Sequence, residues 1–152
     1  MTDTTGTAAG KIVVGVDGSE PSVRALRWAV RQAGMTGDSL EAVIAWEYPA
    51  VGWASMVAAI PAEFDPQALA AEVLDDILEQ TLGAEAAASV ERIVMIGSAA
   101  QALMDRSAGA SLVVVGDRGY SGFKATLLGS VGLHLSQHAP CPVVVVRGGP
   151  QE

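Results

Sequence analysis

The stretch Leu112-Val113-Val114-Val115-Gly116 decides the fold. Its four apolar residues, three of them β-branched, form the kind of run that is buried on both faces of a parallel sheet. Beyond Gly116 the chain passes Gly119 and reaches Gly129 and Ser130, where a new helix is expected to begin. Glycines let the main chain approach a ligand closely, and a helix start offers unpaired N–H groups and a positive dipole end. This order of strand, glycine loop and helix start predicts an anion site suited to phosphate.

Outward from this stretch, strand and helix patterns alternate along the chain. The predicted strands are Lys11–Val16, Leu40–Trp46, Glu91–Ile96, Leu112–Val115 and Pro142–Arg147. The predicted helices extend from an N-cap at Ser19 to about Gln32, and over Pro66–Leu82, Ala99–Ala108 and Ser130–Gln137. Alternation at this pitch implies right-handed crossovers and a parallel sheet. The predicted class is therefore α/β, with one domain over residues 11–148 after a flexible tail over residues 1–10.

Three finer expectations concern the helices and one long connection. Gly34 is expected to stop the first helix, because glycine is a poor helix former. The second helix is expected to bury one apolar side, made of Leu69, Val73, Ile77 and Leu78. The segment from residue 47 to 66 holds three prolines and reads as a long loop. Loops of this length in compact domains are often functional lids or interfaces.

Strand ends locate the predicted ligand site. In open parallel sheets a ligand binds beyond the carboxyl ends of the strands, where the strand order reverses. Asp17 follows the first predicted strand and Gly116 follows the fourth. We therefore expect both residues at the site, which makes a nucleotide the favoured ligand.

Composition limits the kinds of binding partner and the cellular compartments that fit this chain. The formal net charge is −8 and the nine Lys and Arg residues are scattered, which argues against a nucleic-acid partner. The single cysteine, Cys141, excludes an intrachain disulfide and fits a reducing compartment. Residues 1–10 lack the basic start and apolar core of a signal peptide, and the apolar segment 51–62 is too short to span a bilayer. We expect a soluble, cytoplasmic protein without a membrane partner.

Two common nucleotide signatures are absent from the chain, and a third pattern is present. The sequence has no Gly-x4-Gly-Lys-Ser/Thr loop, and the first strand does not lead into Gly-x-Gly-x2-Gly. The chain instead carries Gly116-x2-Gly119-x9-Gly129-Ser130, followed by Val131. A simple turn after a strand explains the first two glycines but not the Gly-Ser pair ten residues later.

At these residues the chain resembles the universal stress protein family, and specifically its ATP-binding members. The resemblance extends to residues 14–19 (Val-Gly-Val-Asp-Gly-Ser) and 141–147 (Cys-Pro-Val-Val-Val-Val-Arg), so it spans nearly the whole domain. It implies a Rossmann-like fold similar to the adenine nucleotide alpha hydrolases, with sheet order 3-2-1-4-5 and helices on both faces. It also implies a homodimer that pairs through the fifth strand, Pro142–Arg147, an apolar edge.

The resemblance further implies ATP with Mg²⁺ as the bound group. The residues that would meet the adenosine are Gly15, Val16, Asp17, Ala45, Trp46, Val115 and Gly116. The residues that would hold the phosphates are Gly119, Gly129, Ser130 and Val131. Arg118 and Lys124 are candidate cations for the phosphates, although exposed loop cations are usually only solvated.

Several of these residues have a simpler interpretation. An acid after a strand, such as Asp17, often only forms a turn, and Ser130 can be a plain N-cap. His134 and His138 lie four residues apart, a spacing that permits a metal pair, but without a third ligand we interpret them as surface or partly buried residues. The tryptophans Trp28, Trp46 and Trp53 are expected to pack in the core and loops.

Two departures from the family pattern affect the phosphate end. Gly132 stands where relatives often have a hydroxyl residue, and Asp117 places a negative charge in the phosphate loop. That charge weakens phosphate binding unless it points outward or helps to hold a cation. The adenosine half of the site would accept ATP, AMP or cyclic AMP alike.

The function that the sequence favours is a stress-responsive regulatory or sensing module that binds ATP. No activated nucleophile or convincing general base lies near the predicted phosphate site, so we assign no catalytic residue. Slow ATP hydrolysis or autophosphorylation stays open, as does an enzyme that consumes the nucleotide. A third alternative is a nucleotide-free scaffold that acts through dimerisation.

The glycine loop yields one mutational prediction. Gly119→Val is expected to abolish nucleotide binding without unfolding the domain, because a branched side chain blocks close approach of the backbone to the phosphates. Calorimetric titration measures the affinity, and a thermal unfolding curve serves as the folding control. Unchanged affinity in a folded variant would remove the phosphate-loop assignment.

Overall fold

A five-stranded parallel sheet with helices on both faces forms the structure. The computed structural model describes residues 10–47, 63–118 and 129–148. The strands are β1 (Lys11–Gly15), β2 (Ser39–Trp46), β3 (Glu91–Ile96), β4 (Leu112–Gly116) and β5 (Val143–Val146). The helices are α1 (Glu20–Thr36), α2 (Pro66–Leu82), α3 (Ala84–Ala88), α4 (Ala99–Ser107) and α5 (Ser130–His138). The strand order β3-β2-β1-β4-β5 confirms the expected 3-2-1-4-5 arrangement and the α/β class.

The two faces of the sheet bury different residues of the same strands. On one face, Ile12 and Val14 of β1 pack with Leu26 of α1 and Leu74 of α2. On the other face, β1 and β4 pack against α4 and α5 through Val13, Val113, Val115, Leu103 and Leu135. Val113 and Val114 are fully buried, as expected for a strand covered on both sides.

Helix α1 begins as the sequence predicts but ends later. The hydroxyl of Ser19 accepts a hydrogen bond from the N–H of Ser22, which makes Ser19 the N-cap. The predicted stop at Gly34 is wrong, because the helix continues to Thr36. Gly37 has φ 82° and donates its N–H to the Ala33 carbonyl at 2.8 Å. A left-handed cap of this kind favours glycine, whereas glycine inside a helix is only mildly costly.

Helix α2 has the predicted bounds but a different buried side. Ala70, Leu74 and Leu78 are buried, whereas Leu69 and Val73 are 47% and 41% exposed. The predicted side is therefore correct for Leu78 and for Ile77, which packs against the core, and wrong for Leu69 and Val73, whose places are taken by Ala70 and Leu74. The short helix α3 was not predicted, and it follows Gly83, which has φ 85°.

A buried carboxylate lies near the amino ends of the strands, remote from the predicted site. Glu41 is 3% exposed, and its two oxygens accept hydrogen bonds from Nε and Nη2 of Arg106 at 3.0 and 2.8 Å. The Nζ of Lys11 lies 3.6 Å from the same carboxylate. The bond to Glu41 raises the pKa of Arg106. A buried charge needs such partners, so this pair ties α4 to β2.

Parts of the earlier expectations fall outside this description. Residues 1–9 of the predicted tail and residues 48–62 of the predicted loop are not among the described residues. Within the ranges that are described, no helix has the length and apolar character needed to cross a membrane.

Candidate functional site

The candidate site lies where β1 and β4 end side by side. Val14 of β1 is in register with Val114 of β4, so the next residues along the two strands, Gly15 and Val115, lie side by side. From there the chain leaves β1 toward α1 on one face and leaves β4 toward α5 on the other. Such divergence opens a crevice at the carboxyl edge of a parallel sheet. The structure thus brings together the first-strand and fourth-strand residues that the sequence singled out.

Gly116 has an internal packing role at this edge. A Cβ atom on Gly116 would lie 2.6 Å from the backbone carbon and oxygen of Pro21, in the first turn of α1. A Cβ on Gly15 would lie 2.9 Å from Cδ1 of Leu103 in α4. Both glycines therefore allow close packing of neighbouring elements. Pro21 thus lies at this edge, although it was not among the predicted site residues.

Asp17 forms the turn between β1 and α1. Its Oδ1 accepts hydrogen bonds from the N–H of Ser19 at 2.9 Å and from the Ser19 hydroxyl. Its own N–H donates to Oγ of Ser22 at 3.2 Å. The residue as a whole is exposed at the edge of the cleft. The turn interpretation thus holds in the structure, and a contact between the exposed side chain and a ligand stays a prediction.

The amino terminus of α5 has no side-chain cap. Its N-cap is Gly129, which places Ser130 at the first helical position instead of the cap. By contrast, Ser19, Asp65 and Ser98 cap their helices with side-chain oxygens. The N–H of Gly129 donates to the Asp117 carbonyl at 2.7 Å, and the Gly129 carbonyl accepts from Leu133 at 2.9 Å.

The N–H groups of the first turn of α5 precede that first intrahelical bond. They belong to Ser130, Val131 and Gly132, and backbone groups at this position are the ones that bind anions. The Gly129 N–H, in contrast, is already engaged with Asp117. Of the predicted phosphate residues that are described, Ser130 and Val131 therefore have the better placed N–H groups.

Asp117 bridges β5 and the start of α5. Its N–H donates to the Val146 carbonyl at 3.1 Å, and its carbonyl accepts from Gly129. The side-chain Oδ1 is buried and has no hydrogen-bond partner within the described residues. Arg118 follows and is half-buried, whereas Gly119 and Lys124 lie outside the described residues. A buried carboxylate oxygen thus lies beside the predicted phosphate end.

The end of β2 borders the cleft on the other side of β1. Pairing with β1 stops at Gly15 and Val43, whereas pairing with β3 continues to Trp46 and Ile96. The Trp46 carbonyl accepts the N–H of Gly97 at 2.8 Å, so that carbonyl is engaged. This engagement leaves the Ala45 backbone as the better candidate for an adenine contact.

Side chains that the sequence assigned to packing behave as expected where they are described. Trp28 and Trp46 pack against the core on the α1 side, and the Trp46 ring lies 6.4 Å from the Phe64 ring, between centroids. Trp53 lies outside the described residues. Cys141 is half-buried, and burial raises the pKa of its thiol. Both His134 and His138 are exposed.

Comparison with known proteins identifies relatives along almost the whole chain. The sequence model of the universal stress protein family matches residues 9–147. Universal stress protein Rv2623 of Mycobacterium tuberculosis is 35% identical over 142 residues, which are 90% of this chain and 44% of that protein. Universal stress protein YxiE of Bacillus subtilis is 30% identical, over 90% of this chain and 98% of that protein. The chain thus spans about half the length of the mycobacterial relative and nearly all of the bacillar one.

Solved structures share the fold. Universal stress protein UspA from Lactobacillus plantarum superposes with a TM-score of 0.76 at 23% identity, covering 91% of this chain and 97% of that one. A universal stress protein solved in complex with cAMP gives 0.63 at 26% identity, covering 94% and 100%. One from Archaeoglobus fulgidus, solved with dAMP, gives 0.56 at 19% identity, covering 90% and 97%.

The contact between Gly116 and Pro21 predicts a stability effect. Gly116→Ala is expected to destabilise the fold by about 1–3 kcal/mol, because its Cβ overlaps the α1 backbone. The matched control is Gly34→Ala, where nothing lies within 4 Å and helix propensity favours alanine by about 0.8–1 kcal/mol. Chemical denaturation should give a lower free energy of unfolding for Gly116→Ala, and a higher one for Gly34→Ala, than for the parent chain. Equal stability of both variants would contradict the packing argument.

Proposed function

The chain belongs to the universal stress protein family, and we propose that it binds an adenine nucleotide in the cleft between the ends of β1 and β4. The observation that carries the proposal is the uncapped amino terminus of α5 at this cleft. Three first-turn N–H groups and the positive end of the helix dipole suit an anion there. Relatives of the same fold have been solved with cAMP and with dAMP, which supports an adenine nucleotide as that anion.

Within this proposal the parts of the nucleotide meet different elements. The adenosine lies against Asp17, the backbone of Gly15, Val16, Ala45 and Trp46, and the β4 residues Val115 and Gly116. The phosphates approach Ser130 and Val131 of α5, with Gly129, Gly119 and Arg118 alongside. Asp17 supplies an exposed carboxylate, which can accept hydrogen bonds from hydroxyl or amino groups.

The proposed ligand is ATP with Mg²⁺, and the donor set fits the metal. The buried Oδ1 of Asp117 has no hydrogen-bond partner within the described residues, and Mg²⁺ prefers hard oxygen donors such as carboxylates and phosphates. Bound there, the ion would neutralise charge between phosphate and protein. Without it, Asp117 repels phosphate, which favours AMP or cyclic AMP as the alternative ligand.

The proposed role is regulatory, in a cytoplasmic single-domain module over residues 11–148. The described side chains at the cleft include no nucleophile paired with a general base, which favours binding over turnover. Slow hydrolysis or autophosphorylation is the enzymatic alternative. We further propose that two copies pair through β5, because its four valines lie half-buried at the edge of the sheet.

Calorimetric titration of nucleotide-stripped protein tests the proposed ligand. ATP with Mg²⁺ is expected to bind with one site per chain and more tightly than ATP without the metal. AMP and cyclic AMP, titrated next, report how much the adenosine half contributes. If AMP or cyclic AMP binds more tightly than ATP, that nucleotide replaces ATP as the proposed ligand. If none of the three binds, the nucleotide-free scaffold is the alternative that stays.

Asp17 provides the mutational test of the adenosine contacts. Asp17→Ala is expected to weaken ATP and AMP alike by about tenfold or more, since a hydrogen bond to a charged group contributes about 1.5–3 kcal/mol. Asp65→Ala is the matched control, because Asp65 likewise accepts backbone hydrogen bonds before a helix but lies at the start of α2. The control should lose about 1 kcal/mol of stability and keep its affinity. Selective loss of ATP would assign Asp17 to the phosphates or the metal instead.

A further inference from the structure

Two histidines form a pair on the outer surface of α5. His134 and His138 are four residues apart on one helix, and both are exposed. Residues at this spacing lie one above the other on the same helix face. Their ring centroids are 4.8 Å apart and their planes are inclined by 47°, so the rings are not stacked in parallel. His138 is the last residue of α5, at the end of the helix away from the cleft, whereas His134 lies one turn beyond Ser130.

The separation of the rings matches that of two imidazoles on one metal ion. Metal–nitrogen bonds are about 2.0–2.1 Å long and the ring adds about 1.2 Å from nitrogen to centroid, so imidazoles on one tetrahedral or square-planar ion have centroids roughly 4.6–5.3 Å apart. The observed 4.8 Å falls inside this range. The two rings are therefore close enough for one ion to bind both of them.

Electrostatics around the pair also favour a cation. His138 ends α5, where the helix dipole presents its negative end. The chain has no Lys or Arg between Ser130 and Pro142, and its formal net charge is −8. On the neighbouring helix α4, the guanidinium of Arg106 is held by Glu41, and Asp105 is an exposed acid. No positive side chain of α5 or its following turn competes with a bound metal.

We propose that His134 and His138 form a two-histidine site for a divalent transition cation of the Zn²⁺ class. Imidazole nitrogen suits Zn²⁺, Ni²⁺ and Cu²⁺ and does not suit Mg²⁺. Within the described ranges no group of three or more His, Cys, Asp or Glu side chains gathers around one point. The two histidines therefore supply two ligands and leave the other coordination positions to water or to a donor from outside the chain.

Titration of the full, untagged chain with ZnCl₂ at neutral pH tests the site, with MgCl₂ as the hard-cation control. We expect one Zn²⁺ to bind and to raise the melting temperature, because the unfolded chain does not hold the rings together. His134→Gln and His138→Gln should each weaken Zn²⁺ binding by about tenfold or more, because a single imidazole remains. Both side chains are exposed, so the variants should fold like the parent.

A variant with rearranged histidines tests whether Zn²⁺ binding depends on the spacing of the pair or only on the number of histidines. His138→Gln with Ser136→His keeps two histidines on α5 but places them two residues apart, on nearly opposite faces of the helix. The exposed Ser136 makes this exchange structurally mild. We expect this variant to bind Zn²⁺ as weakly as the single substitutions. Binding within threefold of the parent, or no Zn²⁺ binding by the parent itself, would overturn the site.

Discussion

Burial of both faces of one parallel sheet is the constraint on which the rest of the structure depends. Val13 and Val14 of β1 point to opposite faces and are both fully buried, as are Val113 and Val114 of β4. Each connection must therefore cover a face with a helix. Because β1 leads to α1 on one face and β4 leads to α5 on the other, the chain diverges between them. The cleft is a consequence of how the apolar strands are covered.

The sequence predicted this architecture well, because long apolar runs specify strands locally. The errors arose where small residues or distant partners decide the outcome. In α2 apolar residues stand at both Leu69–Ala70 and Val73–Leu74, so periodicity does not choose which of each pair is buried. The end of α1 depends on the left-handed backbone of Gly37. Glu41 is buried because Arg106, 65 residues further along the chain, pairs with it. Periodicity cannot reveal such a partner, since the fold creates the proximity.

The candidate site was predictable in position but ambiguous in role. Gly116 and Asp17 are at the expected edge of the sheet, yet Gly116 accommodates Pro21 and Asp17 binds Ser19. Close packing and ligand binding demand the same residue types, namely glycine where the backbone approaches another group and a short acid where a turn needs an acceptor. A motif therefore predicts positions at which the backbone closely approaches another group. The contacts in the structure show which group that is. Ser130 differs, because it is the first residue of a helix that no side chain caps.

Helix α5 relates the two proposed sites through one dipole. Its nine residues span about 13 Å, with the proposed phosphate contacts at the positive end and the histidine pair reaching the negative end. Each ligand would thus lie where the helix charge favours it. Asp117 adds a negative charge beside the positive end, and its buried Oδ1 lacks a hydrogen-bond partner within the described residues. A phosphate beside this carboxylate would be repelled by its negative charge. A cation between Asp117 and a phosphate would offset that repulsion, and this is where the proposed Mg²⁺ would act.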